Sequence, residues 1–295
     1  MARNLEFDLA AAGGLVRRRT LLELGHSARA LKRLVASGRL RVPRRGWLAA
    51  ATAPAVAVRA IELGGVLGGA SALVSYGIWV DDERPLVVSC APTASRLPPL
   101  GDGERRVWLG TVHPRTAAKA WRVPVVDALL QLAMHAERDS LIASVDSALN
   151  KKLLSASEFR RFIQLLPQRL RSIEREVDGK AMSGTETRMR LALVRAGYRV
   201  ESQVFIPTVG EVDLLVDGWH IIELDSRKHH DGVEQQTVDR RRDGNAGLAG
   251  YGHDRFMWAQ VRYEIDWCLA VVAARMREGR PALAPLNMFG GREAS

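Results

Sequence analysis

The sequence is poor in cysteine and in long apolar runs, and each shortage argues against a class of protein. The two cysteines, Cys90 and Cys268, lie far apart without CxxC spacing, so neither a disulfide framework nor a cysteine zinc site is indicated. No segment approaches the ~18 apolar residues that a membrane-spanning helix needs. The N-terminus lacks the basic start and apolar core of a signal peptide. We therefore expect a cytoplasmic protein with no membrane partner.

Acidic residues are fewer than basic ones: 33 Asp and Glu stand against 43 Lys and Arg, a formal net charge of +10. Such an excess favours a polyanionic partner, although charge alone does not distinguish nucleic acid from an anionic membrane. The 47% hydrophobic content is ordinary for a globular protein, and 295 residues can form two or three domains. The order of predicted elements indicates a multidomain protein of the α+β or α/β class.

Residues 1–52 are predicted to form a winged helix-turn-helix domain. Apolar residues recur at helical spacing in residues 4–12, 18–24 and 27–37, with glycines between the three segments. Residues 39–50, RLRVPRRGWLAA, alternate apolar and basic side chains around a turn, which is typical of a small β-wing.

The basic residues of this domain are expected to contact DNA, three from the third helix in the major groove and four from the wing. They are Arg29, Lys32 and Arg33 on the helix and Arg39, Arg41, Arg44 and Arg45 on the wing. A solvated basic face is the alternative. The segment LVRRRTLLELGHSARALKRLVASGRLRVPRRGWLA resembles the N-terminal winged-helix domain of AbiEi-family antitoxins, through Gly25, Ser27, Gly38 and the RRG-aromatic positions.

Residues 53–170 predict a connecting α+β domain. PLVVSCA and RRVWLG have the character of two short strands, and apolar residues at helical spacing precede and follow them. Its acidic and histidine residues show no convergent pattern, and we interpret them as structural.

Three acidic residues interrupt apolar strands that are predicted near the C-terminus. GEVDLLVD contains Asp213, and WHIIELD contains Glu223 and Asp225. A buried carboxylate normally protonates or finds a cation, so three of them among Val, Leu and Ile suggest a divalent metal site. Combined with the basic charge, this pattern favours a polyphosphate substrate.

The predicted order across residues 183–275 is helix, three strands, helix, strand, helix. This order, with acids on the second and third strands, resembles the PD-(D/E)xK nuclease core, and more closely its very-short-patch-repair-like branch. The residues that match the family pattern are Asp213, Glu223, Asp225, His230, Asp239, Arg242, Asp243, Gly250, Tyr251, Arg255, Phe256 and Trp258. The resemblance implies a restriction-endonuclease-like mixed sheet flanked by helices in residues 171–282, followed by a flexible tail of residues 283–295.

The resemblance also implies a ligand set and catalytic roles. Asp213 and Glu223 would hold Mg²⁺ or Mn²⁺, and Asp225 would join them or bind a second ion. Glu186 would orient water, or it would only complete a capping box with Ser183. His230 is another candidate catalytic residue, as a general acid or as a hydrogen-bond donor to phosphate. Alternatively, it is a polar surface residue.

Two residues depart from the family pattern. Ser226 stands where the family has glycine, and Asp225 stands where it has the ExK lysine. Lys228 or Arg227 from the following loop is a candidate substitute, or either simply faces solvent. Arg242 is expected to point at the site or at a DNA phosphate.

The length of the connection between the two acidic strands decides whether this site can form. A two-residue turn at Asp217-Gly218 would place Asp213 opposite Ile222, and Glu223 would then point to the other side of the sheet. An odd-numbered connection such as residues 217–219, or a bulge, brings Asp213 and Glu223 to one face.

Two functions from different classes follow. The first is a metal-dependent DNA endonuclease that the winged helix recruits to DNA, and a homodimer would supply the two active sites that double-strand cleavage usually needs. The second is a DNA-binding regulator, antitoxin-like, in which a nuclease fold survives without catalysis. Only the winged helix argues against RNA as the substrate.

Overall fold

The computed structural model describes residues 4–108, 110, 119–207, 209–225 and 233–281, with only the backbone described for residues 233–240. The protein is mixed α+β and divides into two compact units, Met1–Arg175 and Glu176–Ser295. None of the helices in the described ranges is long and apolar enough to cross a bilayer. The tail expected at residues 283–295, together with Lys228 and His230, lies outside the described residues.

The three helices expected at the start of the first unit are confirmed. The elements of this segment are α1 (Leu5–Ala11), β1 (Leu15–Arg17), α2 (Arg18–Glu23), α3 (Ala28–Ala36) and β2 (Trp47–Ala49). Ser27 caps α3 by accepting a hydrogen bond from the backbone N–H of Ala30. The helices end at Gly25 and Gly38, whose positive φ angles suit the end of a helix.

The predicted wing is only partly a hairpin. β2 pairs antiparallel with β1, and residues 39–46 contribute a single bridge from Arg41 to Ala49. Apolar side chains from the helices and strands close one shared core, formed by Leu9, Ala12, Val16, Leu21, Leu31, Leu40 and Leu48.

The remainder of the first unit contains the two short strands predicted from PLVVSCA and RRVWLG. Its elements are α4 (Ala55–Glu62), β3 (Val66–Leu67), α5 (Gly69–Ser75), β4 (Leu86–Ser89), β5 (Glu104–Val107), α6 (Val125–Ala133), α7 (Arg138–Asn150), α8 (Ala156–Leu165) and a 3-10 helix (Gln168–Arg175). The sheet order is β3-β4-β5, antiparallel and then parallel.

The second unit follows the predicted order of helix, three strands, helix, strand and helix, with one short helix added before the last. Its elements are α9 (Gly184–Arg195), β6 (Val200–Ile206), β7 (Gly210–Val216), β8 (His220–Asp225), α10 (Val233–Leu248), β9 (Gly252–Met257), α11 (Trp258–Tyr263) and α12 (Ile265–Glu278). The sheet order is β6-β7-β8-β9, with β9 parallel to β8 and the other neighbours antiparallel.

Apolar side chains form two clusters around this sheet. Leu214 and Val216 belong to a cluster that includes residues of α9, α11 and α12, whereas Leu215 belongs to a cluster with Ala246 of α10. This alternation follows from the two-residue period of a strand. Helices therefore pack on both sides of β7 at residues 214–216, and the neighbouring Asp213 is partly buried.

The connection between β7 and β8 has three residues, which is the condition that the site requires. Val216 pairs with His220, Leu215 with Ile221 and Leu214 with Ile222. Asp217 and Gly218 adopt positive φ angles of 46° and 75°, and the Asp217 carboxylate accepts a hydrogen bond from the backbone N–H of Arg199. Continued by one residue, the register places Asp213 opposite Glu223.

Candidate functional site

Asp213 and Glu223 form a carboxyl pair on neighbouring strands. The two side chains contact each other, and this contact lowers the pKa of Asp213 and raises the pKa of Glu223. Asp213 Oδ2 also accepts a hydrogen bond of 2.8 Å from the backbone N–H of Leu224. The pairing of β7 with β8 ends at Leu214 and Ile222. Just beyond it, the backbone N–H of Leu224 binds the Asp213 side chain instead of a backbone carbonyl of β7. The Asp213 carboxylate is thereby fixed beside β8.

Glu186 approaches this pair from the first turn of α9. Its side chain is buried, and Glu186 Oε2 accepts hydrogen bonds from the backbone N–H of Met182 and from Gln203 Nε2, both at 2.8 Å. Its own N–H donates to Ser183 Oγ at 3.2 Å. Ser183 therefore caps α9, but the Glu186 side chain binds the backbone N–H of Met182 rather than completing the expected capping box, and it lies near Asp213.

Gln203 is the residue that sequence reasoning missed. Its Nε2 donates to Glu186 Oε2 and, at 3.2 Å, to Asp213 Oδ1, so one amide joins two carboxylates. The available signal was a polar residue in the middle of VESQVFI. Its importance becomes visible only from the pairing of β6 with β7. Ser202 pairs with Leu214 and Val204 with Val212, so Gln203 lies opposite Asp213.

The three carboxyl groups are held in surroundings that disfavour their ionised forms. Burial, and next the charge of Asp213, raise the pKa of Glu223 to about 7, although Arg242 and Arg255 act in the opposite direction. Burial also raises the pKa of Asp213, and burial followed by the charge of Asp213 raises the pKa of Glu186. Burial is the largest cause of the shift in each case, so an ionised carboxylate here lacks solvation that a bound cation would replace.

Two arginines border the pair. Arg242 Nη2 lies 3.4 Å from Glu223 Oε1, while its Nε donates to the Val209 carbonyl, so Arg242 lies at the site as expected. Arg255 is paired with Glu223 in the β8–β9 register, and its Nε lies 3.8 Å from Asp225 Oδ2. A cation therefore stands beside Asp225.

The predicted ligand set is not found as one compact group. Over the part of the chain that the structure describes, no three His, Cys, Asp or Glu side chains are placed to hold one metal ion. Asp225 faces Arg255, whereas Asp213 and Glu223 contact each other. This pair still suits Mg²⁺, which commonly uses one or two carboxylates and takes its other ligands from water and substrate phosphates. The donor set therefore fits a hard divalent ion held by two carboxylates.

The first fifty residues carry a surface of unpaired positive charge. Their acidic residues are all engaged: Glu6 with Arg39 at 3.2 Å, Asp8 with His26 at 2.6 Å and Glu23 with Arg19 at 2.7 Å. The exposed basic residues that have no protein partner in this described segment are Arg18, Arg29, Lys32, Arg33, Arg41 and Arg45.

Two of the predicted DNA contacts, Arg39 and Arg44, have protein partners instead. Arg39 pairs with Glu6, and Arg44 is half-buried, donating to the carbonyl of Glu62 at 3.4 Å. Both partners are distant in sequence, so the local charge pattern could not reveal them. Arg18, at the start of α2, is an exposed cation that the sequence analysis did not single out.

Compared with known proteins, the chain matches no family model, and no curated protein is significantly similar to it in sequence. Its function is therefore inferred from the chemistry of these two sites.

Proposed function

We propose that this protein is a metal-dependent DNA endonuclease that hydrolyses phosphodiester bonds. In this proposal the second unit is a PD-(D/E)xK nuclease-like core, and the first 52 residues are a winged helix that recruits DNA. The observation that carries it is the pair of Asp213 and Glu223, which a three-residue connection brings into contact in largely buried surroundings.

The carboxyl pair is the proposed metal site. Asp213 and Glu223 would hold Mg²⁺ or Mn²⁺, and such an ion supplies positive charge against the scissile phosphate and acidifies water. Glu186, which the Gln203 amide links to Asp213, would accept a proton from water near the pair. The hydrogen bond from Leu224 keeps the Asp213 carboxylate in position throughout. His230 remains a proposed general acid outside the described residues.

Arg255 and Arg242 are the proposed phosphate contacts of the second unit. The Arg255 guanidinium is partly exposed and lies between Asp225 and Asp243, at 3.8 and 3.6 Å from their oxygens. Arginine binds phosphate through a planar fork of donors, and its charge persists at any physiological pH. Arg255 can thus provide the positive charge that the ExK lysine provides in the family. Lys228 stays a candidate from the neighbouring loop.

DNA recruitment is supported by the unpaired cations of the first unit. Arg29, Lys32 and Arg33 lie on α3, whose N-terminus is capped by Ser27 and exposed. Three free cations on one helix are suited to a major groove flanked by phosphates. Because the acidic residues of this segment are all paired internally, the remaining field is positive.

Cleavage of labelled DNA tests the proposal. Duplex, mismatched, forked and single-stranded substrates are incubated with Mg²⁺ or Mn²⁺. The variants Asp213→Asn and Glu223→Gln are compared with the control Glu211→Gln, because Glu211 is an exposed acid on β7, the strand of Asp213. We expect cleavage by the wild type and by Glu211→Gln only, with DNA binding retained in every variant. Cleavage by Asp213→Asn at the wild-type rate contradicts the proposal.

A second function, a DNA-binding regulator without catalysis, is favoured by two observations. Asp225 pairs with Arg255 at 3.8 Å, and the described residues contain no group of three metal-ligating side chains. A scaffold that has lost its metal would have these properties. Tight DNA binding by the purified protein, without cleavage of any substrate or with any metal, would favour this function over the first.

A further inference from the structure

Gln203 occupies an unusual backbone conformation inside a strand. Its φ angle is 52°, although the residues on either side pair normally with β7, Ser202 with Leu214 and Val204 with Val212. A residue other than glycine in this region is uncommon. Such a conformation is strained, and it is found mainly where the surrounding structure holds a functional side chain in place.

The side chain of Gln203 explains what this backbone conformation achieves. Its amide nitrogen donates to Glu186 Oε2 at 2.8 Å and to Asp213 Oδ1 at 3.2 Å. Glu186 is on α9 and Asp213 is on β7, so the amide links a helix and a strand through the two acids. Among the described residues, Gln203 is thus a single group that binds both carboxylates directly.

The chemistry of the amide matters as well as its reach. An arginine or lysine in this place would also bridge two carboxylates, but its charge would neutralise them and compete with a metal ion. A glutamine amide donates hydrogen bonds without adding a charge. It therefore orders the carboxylates and leaves their negative charge available to a cation.

We propose that Gln203 is a positioning residue that fixes Glu186 and Asp213 for a divalent cation and so sets the affinity of the site for that ion. The inference rests on the proposed function, in which Asp213 and Glu223 hold Mg²⁺ or Mn²⁺ and Glu186 acts on water beside them. Partners that orient metal ligands typically change metal affinity by about 10- to 100-fold when they are removed.

Mn²⁺ binding by the full-length protein, measured by calorimetry without DNA, tests this role. The variants are Gln203→Ala, Gln203→Asn and Gln203→Gly. Asparagine keeps the amide but is too short to span both acids, and glycine accepts the positive φ angle without strain. We expect all three to bind Mn²⁺ about 10- to 100-fold more weakly than the wild type, and Gln203→Gly to unfold in EDTA at a temperature no lower than Gln203→Ala.

The outcomes separate this inference from the function on which it rests. If the wild type binds Mn²⁺ and the folded variants bind it within twofold of the wild type, Gln203 only supports the strand, and the inference is wrong while the metal site stands. If the wild type itself binds no Mn²⁺, both proposals fail. Far-ultraviolet circular dichroism of each variant shows whether weaker binding reflects a lost fold, and the glycine variant is expected to retain it.

Discussion

Glu223→Gln is expected to make the metal-free protein more stable at pH 8, although it removes a proposed catalytic group. The reason is that Glu223 is buried beside Asp213, and its pKa is raised from an ordinary 4.5 to about 7. A raised carboxyl pKa means that the folded state binds the proton more tightly than the unfolded state does. The resulting stability is fully present below pH 4.5 and is lost as the pH rises through 7.

The size of the effect follows from the same shift. The difference between 4.5 and about 7 corresponds to ~3 kcal/mol, at ~1.4 kcal/mol for each pH unit. Glutamine has nearly the same shape as protonated glutamic acid, and its amide can donate to Asp213 at any pH. The stability advantage of Glu223→Gln should therefore grow by about 2–3 kcal/mol between pH 5 and pH 8.

Urea unfolding in EDTA at several pH values, followed by tryptophan fluorescence, measures this advantage. Trp219, Trp258 and Trp267 lie in the same unit as Glu223. Glu211→Gln serves as the matched control, because Glu211 is an exposed acid on β7 and its replacement should be nearly independent of pH. If Glu223→Gln is no more stable than the wild type at pH 8, or if the difference does not vary with pH, the folded protein does not disfavour the ionised Glu223, and this argument for a cation site fails.

The other predictions concern the metal, the DNA surface and the strand connection. Mg²⁺ at 100 times its dissociation constant should stabilise the wild type by about 2.7 kcal/mol and Asp213→Asn by far less, in thermal melts with and without EDTA. Arg33→Ala should weaken DNA binding and lower its salt dependence by about one counterion, whereas Arg39→Ala should weaken binding less because Arg39 already pairs with Glu6. Binding titrations at several salt concentrations compare the two variants. Equal losses of affinity would contradict the assignment of Arg33 as a DNA contact. Deleting Gly218 should abolish Mn²⁺ binding because Glu223 then moves to the face of the sheet opposite Asp213. Inserting two glycines beside Gly218 should preserve binding. Calorimetry that shows Mn²⁺ binding by the deletion variant and none by the insertion variant contradicts the register argument.

The helices of the first unit could be predicted because their signals are local. Ser27 caps α3, glycines end α2 and α3, and the apolar residues of each helix recur at the spacing that buries one face. The register of β7 and β8 could be stated in advance only as a condition, since the choice between a two-residue and a three-residue connection depends on Asp217 adopting a positive φ angle.

Long-range contacts account for what the sequence analysis did not foresee. Gln203 acquires its role from α9 and β7, which are remote from it in sequence, and Arg255 reaches Asp225 only because β9 pairs with β8. Arg39 and Arg44 were expected at the DNA because their neighbours are basic, but Glu6 and the carbonyl of Glu62 engage them. Neither the two-carboxylate form of the site nor these partners is encoded in local spacing.

Anomalous diffraction from crystals grown with Mn²⁺ tests the central claim most directly. The account predicts a peak between the carboxylates of Asp213 and Glu223, with the contact between the two groups replaced by bonds to the ion. A peak elsewhere, or no peak while Glu223 still contacts Asp213, would contradict it.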